Sequence, residues 1–212
     1  MTGIGQRISD IKATLPDGVT LVAVSKFHPA EAIMEAYDAG HRVFGESRAN
    51  ELITKAKTLP GDIEWHFIGH LQTNKVRSII PHVKCIHSID SLRLLKLVDS
   101  ESTRIGQHTD ILLQLHVARE ETKFGFSPEE FDLLLDSRDL DNLEGVRIRG
   151  VMGMASNVDD ADRIKDDFKA IRTCFDRLKK RLADNAACDT VSMGMSHDYH
   201  TAIECGRTMV RI

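Results

Sequence analysis

Short runs of apolar residues alternate along this chain with longer stretches in which apolar residues recur at helical spacing. The runs are TLVAV (20–24), RVFG (42–45), EWHFIG (64–69), KCIHSI (84–89), DILLQLHV (110–117), RIRGVMGM (147–154), TVSMGM (190–195) and TMVRI (208–212). Runs of this length, bounded by polar stretches, have the character of buried strands. Helices are predicted between them. Ile4, Ile8, Ile11 and Leu15 share one helical face at the start of the chain. PAEAIMEAYDAG places Pro29 near a helix start and Gly40 just past its end. SPEEFDLLLDSRDL opens on Ser127 as N-cap, Pro128 at the first helical position, and Glu129 and Glu130 in the first turn. The longest stretch, DDADRIKDDFKAIRTCFDRLKKRLAD, carries Ile164, Phe168, Ile171, Phe175, Leu178 and Leu182 in one stripe.

Strands alternating with helices predict parallel βαβ units. An open doubly wound sheet satisfies that pattern, but eight repeats favour a closed (β/α)8 TIM barrel. No stretch rich in Pro, Gly or Ser separates two halves, so residues 1–212 are expected to form a single domain ending at the eighth strand.

Composition narrows the function. The 212 residues are 42 % hydrophobic, enough for a sizeable core. Lys and Arg number 28 against 32 Asp and Glu, a formal charge of −4. That balance argues against a general nucleic-acid binder, which needs a clustered basic surface. The four cysteines are scattered without a Cys-x-x-Cys pair, and no stretch has signal-peptide or membrane-span character. A reduced, cytoplasmic protein without membrane contact is expected. With no obvious exposed apolar stripe, a monomer is expected too.

In such a barrel, chemistry gathers at the C-terminal ends of the strands. Ser25-Lys26 follows the first strand and WHFIGHLQTNK (65–75) continues the third. SMGMSHD (192–198) continues the seventh, and Arg211 ends the eighth, the barrel neighbour of the first. Met193-Gly194-Met195-Ser196 offers a small loop with a permissive glycine, then a hydroxyl where a helix is predicted to start. Backbone N–H groups in such a place bind phosphate well. Other chemistries have less support. The ten histidines include no His-Glu-x-x-His, so no metal is expected. Gly3-Ile4-Gly5 follows no strand and is no dinucleotide fingerprint. A lysine, a phosphate cradle and a cation at adjacent strand ends suit a phosphorylated aldehyde. A neutral lysine amine attacks such a carbonyl to form a Schiff base, and desolvation makes the neutral form available.

The stretches AVSK (23–26), FGE (44–46), WHFIGHLQTNK, KFGF (123–126), RGVMGM (149–154), SMGMSHD and AIECGRTMVRI (202–212) resemble, in order and over almost the whole chain, the pyridoxal phosphate homeostasis protein family. These proteins are relatives of the N-terminal barrel of alanine racemase. The resemblance implies a (β/α)8 barrel that binds pyridoxal 5′-phosphate through a Schiff base on Lys26. Ser196 and the backbone of Gly194 and Met195 would hold the phosphate, and Arg211 would face the pyridine nitrogen. Two departures stand out. Ser47 occupies the place where the family usually carries Asn after Gly-Glu, which touches any cofactor contact from that loop. The sequence also stops at Ile212, where the family continues with a Gly-Thr step toward the phosphate, so an incomplete cradle and weaker affinity are expected.

Arg211 bears on whether this is an enzyme. A carboxylate on the pyridine nitrogen keeps the ring protonated as an electron sink, whereas an arginine only donates and favours the unprotonated nitrogen. Racemases of the related fold work with this arrangement but add a second base from another domain. Of the two tyrosines, Tyr37 lies inside a helix and Tyr199 just after the phosphate loop. The expectation is a protein that stores, buffers or delivers pyridoxal phosphate to apo-enzymes. A weak amino-acid racemase using Lys26 and Tyr199 is the alternative, and a partner-binding scaffold retaining an ancestral site is a third.

Overall fold

The computed structural model describes residues 3–118, 124–183 and 187–212. Eight parallel strands close into a barrel in sequence order: β1 (Thr20–Val24), β2 (Val43–Glu46), β3 (Glu64–Phe67), β4 (Cys85–Ile89), β5 (Thr109–Leu115), β6 (Val146–Gly153), β7 (Thr190–Ser192) and β8 (Met209–Arg211). Closure runs through β1 and β8, with Thr20 opposite Met209 and Val22 opposite Arg211. The helices are α1 (Ile4–Thr14), α2 (Ala30–Asp38), α3 (Ala49–Thr58), α4 (Val76–Ile79), α5 (Leu92–Arg104), α6 (Pro128–Asp136), α7 (Ala161–Arg181) and α8 (Tyr199–Glu204). The (β/α)8 expectation holds. Each of the eight apolar runs overlaps a strand: β2, β5 and β6 reach one residue outside their runs, and several runs continue past the strand into the loops at the barrel rim. Lys123 of KFGF and Asp184 at the end of the longest stripe lie outside the described residues.

Local chemistry sets the helix starts. Ser127 accepts from the Glu130 N–H while the Glu130 carboxylate accepts from the Ser127 N–H, a reciprocal cap before Pro128. Asp160 accepts from the Arg163 N–H at the head of α7. The stripe on α7 buries Phe168, Ile171, Phe175 and Leu178 against the sheet. The main core lies between sheet and helices and includes Phe44, Trp65, Phe67, Phe131 and Phe168. Each such side chain contributes about 1.5–3 kcal/mol by leaving water.

The lumen is different. A separate small cluster of Cys85, Leu112 and Met152 fills part of it. The buried polar side chains His66, His87, Ser192 and Arg211 occupy alternate strand positions to the core-facing Trp65, Ile86, Val191 and Val210. No described helix is long and apolar enough to cross a membrane.

Candidate functional site

Lys26 stands two residues past the end of β1, continuing the alternation of Val22 and Val24. Its side chain is exposed and makes no hydrogen bond or ion pair with any described residue. The expectation of a desolvated amine is therefore corrected: the group is free but open to solvent. The backbone around it is strongly held. Glu46 is fully buried at the end of β2, and Ser25 Oγ donates to its Oε1 at 2.6 Å. Lys55, from α3, donates to the same oxygen at 2.7 Å, to Ser25 O at 2.9 Å and to Glu51 Oε1 at 2.6 Å. Glu51 also accepts from the Phe27 N–H at 2.9 Å. The residues on both sides of Lys26 are thus tied to one buried ion cluster. Phe27 has φ of 65°, left-handed for a bulky side chain. The two carboxylates differ. Burial pushes Glu46 above the ordinary range despite Lys55 and Ser25. For Glu51 burial pushes upward as well, but the bonds from Lys55 and Phe27 outweigh it and the pKa falls.

The loop after β7 sits beside β8. Arg211 N–H donates to Gly194 O at 3.1 Å, and Val24 N–H donates to Ile212 O at 2.7 Å. Gly194, Arg211 and the approach to Lys26 are therefore laced together across β7, β8 and β1. Gly194 has φ of 93°, and a Cβ there would lie 2.8 Å from Ala202 Cβ and 3.0 Å from Tyr199 Cα. Only glycine fits.

Ser196 departs from expectation. It does not start a helix: α8 begins at Tyr199 with Asp198 at the cap, and Ser196 lies exposed in the preceding turn. The buried Asp198 accepts from the Met195 N–H at 2.6 Å, so one backbone donor of the loop is already engaged. Asp198 was missed because an acid in Ser-His-Asp reads as a surface residue. Ser47 is half-buried past β2, in a recess of about 510 Å³ shared with Phe67, His70 and Lys75. Its carbonyl lies 2.3 Å from where a Cβ on Gly69 would sit, so the loops after β2 and β3 meet backbone to backbone. The Ser47 hydroxyl makes no hydrogen bond with a described residue.

Arg211 is the most constrained member. It is buried in the lumen, donating from Nη1 to Ser192 Oγ at 2.7 Å and from Nη2 to Gly153 O at 3.2 Å. Burial lowers its pKa to about 10, opposed by Asp198, so it stays charged near neutrality. Behind it lie His87 and His66. Burial brings His66 to about 4 and His87 well below the usual imidazole value. Donor atoms of His66, Cys85 and His87 lie within 4.8 Å of one another, as in a metal triad. His66 Nδ1 and His87 Nε2 are 2.8 Å apart and bonded to each other, which accounts for the cluster without an ion. The imidazole of WHF was legible as a polar residue between two apolar ones in a strand, and that of IHS by its place next to Ile86 within an apolar run.

Tyr199 turns away from this site. Its hydroxyl lies 3.2 Å from Thr14 Oγ1 of α1, in the outer helical layer.

Residues 3–212 match the family model described as alanine racemase, N-terminal domain. A pyridoxal phosphate homeostasis protein of Pasteurella multocida is 36 % identical over 200 residues, covering 92 % of this chain and 83 % of the relative. PipY of Synechococcus elongatus, solved without PLP, superposes with a TM-score of 0.92 at 37 % identity, covering 98 % of this chain and 96 % of that one. The same protein with PLP bound gives 0.88 at 36 %, with the same coverage.

Proposed function

This chain belongs to the alanine racemase N-terminal domain family, among the pyridoxal phosphate homeostasis proteins, and from that premise we propose that it is a carrier of pyridoxal 5′-phosphate. Pyridoxal 5′-phosphate is its cofactor and homeostasis of that cofactor its work, as the names of its relatives and the PLP-bound PipY support. Bound there, the cofactor supplies an electrophilic aldehyde and a ring able to withdraw electrons.

The residues fit such a group. Lys26 offers a free amine for the covalent link. The loop of Gly194, Met195 and Ser196 receives the phosphate on the Ser196 hydroxyl and on its backbone donors other than the Met195 N–H, which Asp198 holds, and Gly194 lets that loop pack directly against α8. Arg211 faces the pyridine nitrogen as a donor only. Ser47, in the recess beside β2, is at most a peripheral contact. The observation that carries the proposal is the backbone lacing of β7, β8 and β1, which puts the amine, the glycine loop and a buried arginine on one arc.

Storage, buffering and delivery to apo-enzymes need reversible binding rather than turnover. Racemisation needs acid–base groups on both faces of the bound substrate. Lys26 serves one face, and the hydroxyl of Tyr199, the candidate for the other, is engaged with Thr14. We place the protein in the cytoplasm as a monomer. Its four cysteines are free, in keeping with a reducing compartment.

Borohydride treatment of the loaded protein, followed by peptide mass spectrometry, is expected to find the pyridoxyl group on Lys26. An adduct mainly on Lys75 overturns the site. Loaded protein in deuterated water with L-alanine is expected to show almost no exchange at the α-carbon while passing its cofactor to an added apo-enzyme. Rapid exchange abolished by Tyr199→Phe would make it a racemase.

A further inference from the structure

Four buried polar side chains stand in line across the lumen. Arg211 Nη1 is 2.7 Å from Ser192 Oγ, Ser192 Oγ is 3.2 Å from His87 Nδ1, and His87 Nε2 is 2.8 Å from His66 Nδ1. None is more than 5 % exposed. We propose that these groups form a hydrogen-bond chain of one fixed polarity, in which Ser192 and His87 act as positioning residues for Arg211. The proposal rests on Arg211 facing the cofactor ring.

The polarity follows from donor counting. A guanidinium only donates, so Ser192 Oγ accepts from Arg211. The hydroxyl has one proton of its own, and among the described residues its one remaining neighbour in the chain is His87 Nδ1. Donating there leaves His87 with its proton on Nε2, which then donates to His66 Nδ1. His66 in turn carries its proton on Nε2. In the reverse order both histidines are protonated on Nδ1, and the Ser192 proton is left without an acceptor in a fully buried place. Native interiors avoid such orphans. Both rings are neutral at physiological pH because burial opposes their charging, with the Arg211 cation adding to the effect at His87 and Lys84 at His66.

The chain has a consequence for Arg211. Because Ser192 gives its own proton to His87, its oxygen is a stronger acceptor for the guanidinium, as in any polarised series of hydrogen bonds. Together with Gly153 O this anchors two nitrogens of Arg211 on the lumen side. The remaining N–H groups are left for whatever lies over the mouth of the barrel. His66, at the far end, lines a polar recess of about 420 Å³ with Glu64, Lys84, Asp110 and Arg149. The chain therefore runs from that recess to the arginine, and the aim of Arg211 is set by groups that do not touch the cofactor.

The first test needs no cofactor. Long-range nitrogen–proton spectra of the unloaded, ¹⁵N-histidine-labelled protein, assigned with His66→Gln and His87→Gln, are expected to show a bare Nδ1 and a protonated Nε2 in both rings. Protonated Nδ1 in either ring, or rapid tautomer exchange, overturns the polarity. The second test is Ser192→Ala, which removes one oxygen and keeps the strand packing. It is expected to release His87 from its single tautomer, to shift the absorption maximum of the loaded protein and to weaken pyridoxal phosphate binding about tenfold. Unchanged affinity and spectrum overturn the positioning role. The borohydride adduct on Lys26 reports separately on whether the cofactor occupies this mouth at all, so failure of the chain and failure of the site are told apart.

Discussion

Lys55→Met is the substitution that most directly probes how the backbone around Lys26 is held. Methionine keeps the apolar stem and removes the ammonium, and with it the bonds to Ser25 O, Glu46 Oε1 and Glu51 Oε1. Glu46 is then left at 0 % exposure with the Ser25 hydroxyl as partner, and its Oε2 already has no partner among the described residues. Breaking a buried pair in this way costs about 3–5 kcal/mol. That is a large share of the ~5–15 kcal/mol that holds a typical domain together. The loss must also depend on pH. Burial already holds Glu46 above the ordinary carboxylate range, with Lys55 pulling the other way, so removing Lys55 raises it further. The folded variant then binds this proton more tightly than the unfolded chain does. Its stability falls as pH rises from the unfolded value toward the folded one, by at most about 1.4 kcal/mol per unit. Urea melts at pH 5 and pH 8 measure the difference. The deficit against the parent protein is expected to be larger at pH 8 than at pH 5, and Glu46→Gln in the same chain is expected to recover part of it. A deficit under about 1 kcal/mol, equal at both pH values, would refute the buried-charge argument.

Two further substitutions read other parts of the molecule. Arg207 is 5 % exposed, and all three of its guanidinium nitrogens lack partners among the described residues, so Arg207→Met is expected to raise stability by about 1–4 kcal/mol in urea melts; destabilisation would mean the charge has a counter-ion. Ser196→Ala is expected to weaken pyridoxal phosphate binding by about 1.5–3 kcal/mol in titrations while leaving unphosphorylated pyridoxal nearly untouched; equal weakening would put the phosphate elsewhere.

The barrel was legible because parallel strands covered on the outside and packed on the inside read as near-continuous apolar runs. The run TLVAV coincides with β1, and the Ser-Pro-Glu-Glu signature coincides with the cap and first turn of α6. The start of α8 was misread. Ser196 looked like the cap, but the buried Asp198 carboxylate folds back onto the Met195 N–H and delays the helix to Tyr199. A side chain reaching back three residues competes with a cap, and composition alone does not decide between them. The Lys55 cluster was invisible for a different reason. A lysine flanked by Thr and Ala in a helix resembles a solvated face, and only the approach of α3 to the ends of β1 and β2 turns it inward.

Strand parity separates the two kinds of buried polar residue that the sequence leaves mixed. On β3, β4, β7 and β8 the apolar residues Trp65, Ile86, Val191 and Val210 face the helical layer, so His66, His87, Ser192 and Arg211 fall in the lumen. On β2 it is Phe44 that faces the helices, and Glu46, two residues on, faces the same way beneath α3. The two groups are buried for different ends. Lumen groups are bonded to one another in a line that finishes at the mouth of the barrel, where they bear on what Arg211 can touch. Wall groups are bonded across to a helix, where they bear on the backbone that carries Lys26. An acid or imidazole within an apolar run is therefore only half informative until its parity against the nearest aromatic or branched residue is counted. Counted that way, Arg211 and Lys26 emerge as residues aimed by two independent sets of buried groups, one inside the sheet and one outside it.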